Sequence, residues 1–75
     1  MRRLGTVART AQGLAIVRTD DESVPDLGSE AVDESLSTVG RVVDVFGPVE
    51  RPYVAVSPTD GTDLPALLGA KLYAR

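Results

Sequence analysis

Turn-forming residues recur along this chain at short intervals, and no long stretch between them carries apolar residues at helical spacing. The segments between the turns are short and rich in β-branched side chains, as strands are. This pattern predicts an all-β fold, and 75 residues suffice for one domain, spanning residues 1–75. We expect a small, six-stranded closed barrel with a one-turn helical plug.

Composition restricts both stability and chemistry. The chain has no cysteine and no histidine, which excludes disulfides, thiol nucleophiles, a Ser-His-Asp relay and the common zinc sites. The core of so small a domain only just offsets the cost of ordering the chain. We therefore expect stability to depend on salt or a partner, and we expect a protein that is not an enzyme, with no cofactor and no metal. One catalytic alternative remains, in which Asp44 and the single lysine, Lys71, act as acid and base.

The charges are segregated along the sequence, although the net charge is only −3. Residues 1–18 carry four arginines and no acid, whereas residues 19–34 carry seven acids and no base. The acidic stretch is typical of a solvated face, with a basic partner or a hard cation such as magnesium as alternatives. Its members are Asp20, Asp21, Glu22, Asp26, Glu30, Asp33 and Glu34.

The same composition fits a salt-adapted, cytoplasmic protein. Acidic proteins stay soluble at high salt, and at molar salt the Debye length is ~3 Å, so apolar contacts must hold a complex together. The longest apolar runs, residues 42–49 and 64–70, are shorter than the ~20 residues that span a bilayer. Arg9 and Arg18 interrupt the apolar stretch that a signal peptide would need. We therefore expect no membrane contact.

The strand and turn signals divide the chain into definite segments. Gln12-Gly13 marks a hairpin turn, residues 19–28 a loop, and residues 39–46 the central strand. That strand is apolar on both alternating sets, so either both its faces are covered or a bulge changes its phase. The predicted strands are residues 3–9, 14–18, 31–33, 39–46, 52–56 and 71–74.

A one-turn helix is expected near the C-terminal end of the sequence. Asp63 is a candidate N-cap, Pro65 suits the first turn, and Gly69 terminates the segment. Its leucines at positions 64, 67 and 68 are expected to share one face and to close one end of the barrel.

The connection after the central strand is apolar where turns are usually polar. It contains two prolines and two of the three aromatic residues of the chain. We expect Phe46 to fill the barrel. Val49, Pro52 and Tyr53 suit a partner contact as well as a place at the rim, because rigid apolar groups lose little entropy on binding.

This region also carries a resemblance to a known family. The run Val39-Gly40-Arg41-Val42-Val43-Asp44-Val45-Phe46-Gly47-Pro48-Val49, followed after two residues by Pro52-Tyr53, resembles the hallmark of the Gar family. Members of that family are the small β-barrel subunits of H/ACA guide ribonucleoproteins. Further matches, which extend the resemblance over most of the chain, are Leu4-Gly5-Thr6-Val7, Gly13, residues 25–28, Val32 and Gly69-Ala70-Lys71-Leu72-Tyr73.

The resemblance implies a non-catalytic subunit of the archaeal form. Such a subunit binds the dyskerin-type pseudouridine synthase and aids RNA substrate loading and turnover in guided rRNA pseudouridylation, with the guide RNA an indirect partner. The matching positions imply Gly40 and Asp44 as structural residues, one for backbone geometry and one as a backbone acceptor. The implied partner-binding residues are Phe46, Gly47, Pro48, Val49, Pro52 and Tyr53.

Direct RNA binding by the barrel alone is expected to be weak or absent. The glycine- and arginine-rich tails that contact RNA in eukaryotic members have no counterpart here, and the net charge is negative. The alternative is a PRC-barrel-like ribosome-maturation or RNA-binding protein, with Arg2, Arg3, Arg9 and Arg18 lining one face of the first hairpin. PRC barrels share the glycine, base, two valines and aspartate, but they lack the phenylalanine-glycine-proline continuation.

Overall fold

Six antiparallel strands close into a barrel in the computed structural model, which describes residues 2–20 and 24–75. The order around the barrel is β1-β2-β5-β4-β3-β6, which confirms the expected all-β, six-stranded architecture. Asp21 and Glu22 of the acidic stretch lie outside the described residues. The elements are β1 (Arg2–Ala11), β2 (Leu14–Thr19), β3 (Glu30–Val32), β4 (Thr38–Phe46), β5 (Tyr53–Pro58), a 3₁₀ helix (Leu64–Leu67) and β6 (Lys71–Ala74).

The first hairpin shows how local sequence sets the connections. Gln12 and Gly13 both have positive φ angles, +53° and +77°, as a two-residue turn between right-twisted strands requires. The turn joins Ala11 to Leu14 as the last pair of the ladder. Because the turn is so short, β1 and β2 remain paired along most of their length.

Among the described residues, those inside the barrel are small and medium-sized aliphatic side chains, with no aromatic ring. A barrel of this size leaves room only for side chains that fill it closely, and β-branched valines suit such a space. The interior cluster consists of Leu4, Val7, Ala15, Val17, Ala31, Val39, Val42, Val54, Val56, Leu67, Leu72 and Ala74.

A β-bulge between Val42 and Asp44 resolves the double apolar pattern of β4. Val42 is an interior residue, and Val45, three positions later, also packs against the core. Two residues an odd number of positions apart can both face inward only if the strand contains one extra residue. The bulge supplies that residue and turns Phe46 to the outside, where 38% of its surface is exposed. The expectation that Phe46 fills the barrel was therefore wrong, since strict alternation does not continue through the bulge.

The helical plug is tighter than expected. In a 3₁₀ helix residues three apart eclipse, so Leu64 and Leu67 both pack on the core while Leu68 turns outward and is 53% exposed. The prediction that Leu68 shares their face was wrong for this reason. Asp63 occupies the N-cap position but makes no side-chain cap. Its carbonyl accepts the Ala66 amide at 3.1 Å instead.

The close approach of β4 and β5 leaves no room for a side chain at Gly40, and adding a single methyl group there tests this. A Cβ on Gly40 would collide with the Ser57 carbonyl oxygen and lie 2.7 Å from Val56 Cγ1. We expect Gly40→Ala to destabilise the barrel by about 2–3 kcal/mol, because the clash is with backbone that cannot move aside. Thermal unfolding followed by circular dichroism measures the effect.

Gly61→Ala is the matched control for that substitution. Nothing lies within 4 Å of a Cβ there, so only the positive φ of +85° opposes the change, at about 1 kcal/mol. A Gly40→Ala variant as stable as the wild-type protein would show that β4 and β5 do not approach as closely as described.

Candidate protein-docking corner

The corner, defined here as residues 46–53, joins β4 to β5. Phe46 and Tyr53 form the last pair of the ladder between these strands. Gly47 then leaves the strand with a φ of +92°, in the left-handed region that favours glycine. A Cβ at this position would lie 3.0 Å from Tyr53 Cδ2. Gly47 therefore reverses the chain and leaves room for the Tyr53 ring.

A buried hydrogen-bond anchor holds the far side of the corner to β2. The Thr19 hydroxyl donates to the Pro52 carbonyl oxygen at 2.6 Å, and the Thr19 amide donates to the same oxygen at 3.3 Å. Both residues are buried. Pro52 therefore lies beneath the corner as its support, and this departs from its expected place among the partner contacts.

An aromatic pair and a cation cover the outer side of the corner. The rings of Phe46 and Tyr53 are stacked, with centroids 5.6 Å apart and planes inclined by 24°. The Arg9 guanidinium carbon lies 5.9 Å from the Tyr53 centroid, within the range of a cation–π contact. These contacts limit the rotamers of all three side chains, so the outer side of the corner is ordered.

The tip of the corner presents an apolar side chain to solvent. Val49 is 79% exposed, the highest value among the large apolar side chains of the described residues. Gly47 and Pro48 are also exposed, and Tyr53 is half-buried. With Phe46, five of the six residues implied as partner contacts therefore reach the surface. Such an exposed apolar tip on an ordered turn is suited to insertion into a complementary surface.

The two implied structural residues have separate surroundings. Gly40 is buried where β4 approaches β5, as described above. Asp44 is exposed directly after the bulge, and its carboxylate accepts the Val45 amide at 2.8 Å. Asp44 and Lys71 form no ion pair within the described residues, and they belong to β4 and β6, which β3 separates. The acid–base pair considered above is not assembled.

The arginines of the first hairpin have different partners. Arg3 forms an ion pair with Asp20 at 2.9 Å, between side chains that are both about half exposed. Arg2 donates to the Val24 carbonyl at 2.6 Å. Arg9 covers Tyr53, whereas Arg18 is exposed. Of the four arginines that the alternative places on one face, Arg2 and Arg3 are thus engaged by other groups of the chain.

The acidic residues that the structure describes are mostly dispersed. Glu30 pairs with Arg75 at 3.1 Å. The Asp33 carboxylate accepts hydrogen bonds from Ser35 and Ser37, and these lower the pKa of Asp33 below its usual value. Across residues 2–20 and 24–75 no three His, Cys, Asp or Glu residues gather as a metal site would require. The same residues include no helix long and apolar enough to cross a membrane.

Comparison with known proteins confirms the resemblance to the Gar family. The barrel is similar in fold to the Gar1 domain of Naf1, with a TM-score of 0.74 and 18% identity, over 99% of this chain and 85% of that one. In sequence, the chain is 30% identical over 60 residues to an uncharacterized protein of Methanothermobacter thermautotrophicus, covering 79% of this chain and 63% of that relative. The chain thus spans less than two thirds of the length of this relative.

A family model matches the whole of the given sequence. The model for the Gar1/Naf1 RNA binding region matches residues 1–75. This is a family of accessory, RNA-binding proteins associated with H/ACA ribonucleoproteins, not a catalytic one. With its six-stranded barrel and its glycine-proline corner, the chain belongs to the Gar1/Naf1 RNA binding region family.

Proposed function

We propose that this protein is a non-catalytic subunit of an H/ACA ribonucleoprotein that binds the dyskerin-type pseudouridine synthase through the corner. There it aids RNA substrate loading and turnover in guided rRNA pseudouridylation. The observation that carries the proposal is Val49, an aliphatic side chain 79% exposed at the tip of an anchored turn. Membership of a family linked to H/ACA particles supports this choice of partner.

The construction of the corner favours binding because the turn is already held in place, so little conformational entropy is lost when a partner binds. Gly47 fixes the turn, and the buried Thr19 side chain holds the Pro52 carbonyl. Each immobilised side chain otherwise costs about 0.5–1.5 kcal/mol on association. A turn ordered in advance avoids much of this cost, so a small apolar contact can support a stable complex.

The same surface offers little for catalysis. The Asp44 carboxylate is engaged by the backbone of its own strand, and the described part of the chain supplies it with no basic partner. Catalysis in the particle is therefore assigned to the synthase, and this chain acts through the position that it occupies on that enzyme.

Placing a charge at the tip tests the proposed contact. We expect Val49→Asp to weaken binding to the synthase at least about 30-fold, because a carboxylate would be buried in an apolar seat. Isothermal titration calorimetry with the purified synthase measures the affinity, and far-UV circular dichroism checks that the barrel is intact.

Leu36→Asp is the matched control, since Leu36 is also an exposed apolar residue, at 55%, but lies in the turn between β3 and β4. It is expected to bind as the wild-type protein does. Unchanged affinity of a folded Val49→Asp variant would remove the corner from the interface.

RNA binding by the isolated protein separates the proposed function from that of an independent RNA-binding barrel. With a net charge of −3 and eight basic residues, the chain releases few counterions from RNA. We expect no mobility shift of a guide RNA with this protein alone at physiological salt, and incorporation of the protein once the synthase is added. A strong shift without the synthase would contradict the proposal and favour the ribosome-maturation alternative.

A further inference from the structure

The strand register places five side chains in one row across the outside of the barrel. Directly paired residues of antiparallel strands lie on the same face of a sheet. The register pairs Lys71 with Thr6, Thr6 with Arg18, Arg18 with Tyr53, and Tyr53 with Phe46. The neighbouring residues Val17 and Val54 point into the core, so this row faces outward. The outer row is Lys71, Thr6, Arg18, Tyr53 and Phe46.

The outer row is basic in a protein that is acidic as a whole. It contains two cations and no acid, and the Arg9 guanidinium lies over its Tyr53 ring. Within residues 2–20 and 24–75, neither Arg9, Arg18 nor Lys71 takes part in an ion pair. Strands lie about 4.8 Å apart, so Arg18 is one strand from Tyr53 and two from Phe46. Arg18 therefore adjoins the corner directly, whereas Lys71 lies three strands from Tyr53.

We infer that the outer row, together with Arg9 over its Tyr53 ring, orients the protein partner by charge. In this inference, which rests on the proposed function, the partner carries carboxylates that pair with Arg9 and Arg18 beside its apolar seat for Val49. A guanidinium that lies over an aromatic ring keeps its in-plane N–H groups free for a carboxylate. Arg9 is thus held by Tyr53 in a position to donate outward.

The arrangement of the rings favours a protein over an RNA strand as the bearer of these anions. Aromatic platforms for single-stranded RNA offer a free ring face on which a base stacks. Here the Tyr53 ring is already in contact with Phe46 and Arg9. The row is also continuous with the apolar tip at Val49, so one protein surface can meet both features.

A cross-linking experiment tests the inference, because Lys71 is the single lysine of the chain. The double variant Arg18→Lys, Lys71→Arg moves that lysine into the position of Arg18. Synthase whose carboxylates have been activated with a carbodiimide is then mixed with this variant, and amide cross-links are mapped by mass spectrometry. We expect a cross-link from position 18 to an Asp or Glu of the synthase.

The control variant, Arg2→Lys with Lys71→Arg, places the lysine at the start of β1, outside the outer row. It is expected to give no cross-link from position 2. A complex that forms with the Arg18→Lys variant but yields no cross-link at position 18 would overturn the inference.

Affinity measurements distinguish failure of this inference from failure of the docking proposal. We expect the double variant Arg9→Gln, Arg18→Gln to bind the synthase about fivefold more weakly at 0.1 M salt, as two exposed ion pairs imply. The difference should shrink at 1 M salt, where the Debye length is ~3 Å. Unchanged affinity at low salt, with Val49→Asp still impaired, would overturn the charge pairing alone.

In the alternative to this inference, Arg9 and Arg18 bind the phosphates of RNA and not the carboxylates of a protein. The assembled complex with Arg9→Gln, Arg18→Gln would then retain full affinity for the synthase but bind labelled guide RNA less tightly. That result would also overturn the inference, because the cations would serve phosphates and not carboxylates.

Discussion

The narrow interior of a six-stranded barrel is the constraint from which the other features of this structure follow. Twelve aliphatic residues of the described part of the chain fill it, with valine the commonest. The interior, as far as the structure describes it, contains no ring, and the strands approach each other closely at Gly40. The aromatic residues of the chain are consequently available for its outer surface.

Two of these aromatic residues, Phe46 and Tyr53, lie at the corner. The bulge after Val42 reverses the phase of β4, so Val45 completes the core while Phe46 meets Tyr53 outside. The turn that follows contains Pro48, which has no amide hydrogen to satisfy, and ends at Pro52, whose carbonyl is held by Thr19. Stability and the proposed docking are therefore linked here, since the contact that buries Pro52 also supports the exposed tip.

Much of this architecture could be predicted from the sequence because its signals are local. Gln12-Gly13 favours a two-residue turn, and the β-branched segments favour strands. The orientation of Phe46 could not be predicted in this way. Alternation assigns a face only while the ladder is regular, and the bulge depends on the pairing of Asp44 with Ala55 on another strand.

The burial of Pro52 was beyond sequence reasoning for a related reason. It depends on Thr19, which is 33 residues away in the chain and carries no distinctive signal of its own beyond a hydroxyl at the end of a strand. The exposure of Val49, in contrast, follows from its place between two prolines, in a turn too short to fold back on the core. Contacts close in sequence were thus predictable, and those made across the barrel were not.

The position of the outer row beside the corner indicates a division of tasks between apolar and charged contacts. Apolar burial keeps its strength in concentrated salt, whereas exposed ion pairs lose most of their reach. In the proposed complex, Val49 supplies affinity at low and high salt, while Arg9 and Arg18 act only at contact distance and select one orientation. A single apolar tip permits rotation about itself, and ion pairs at two further points on the barrel would prevent that rotation.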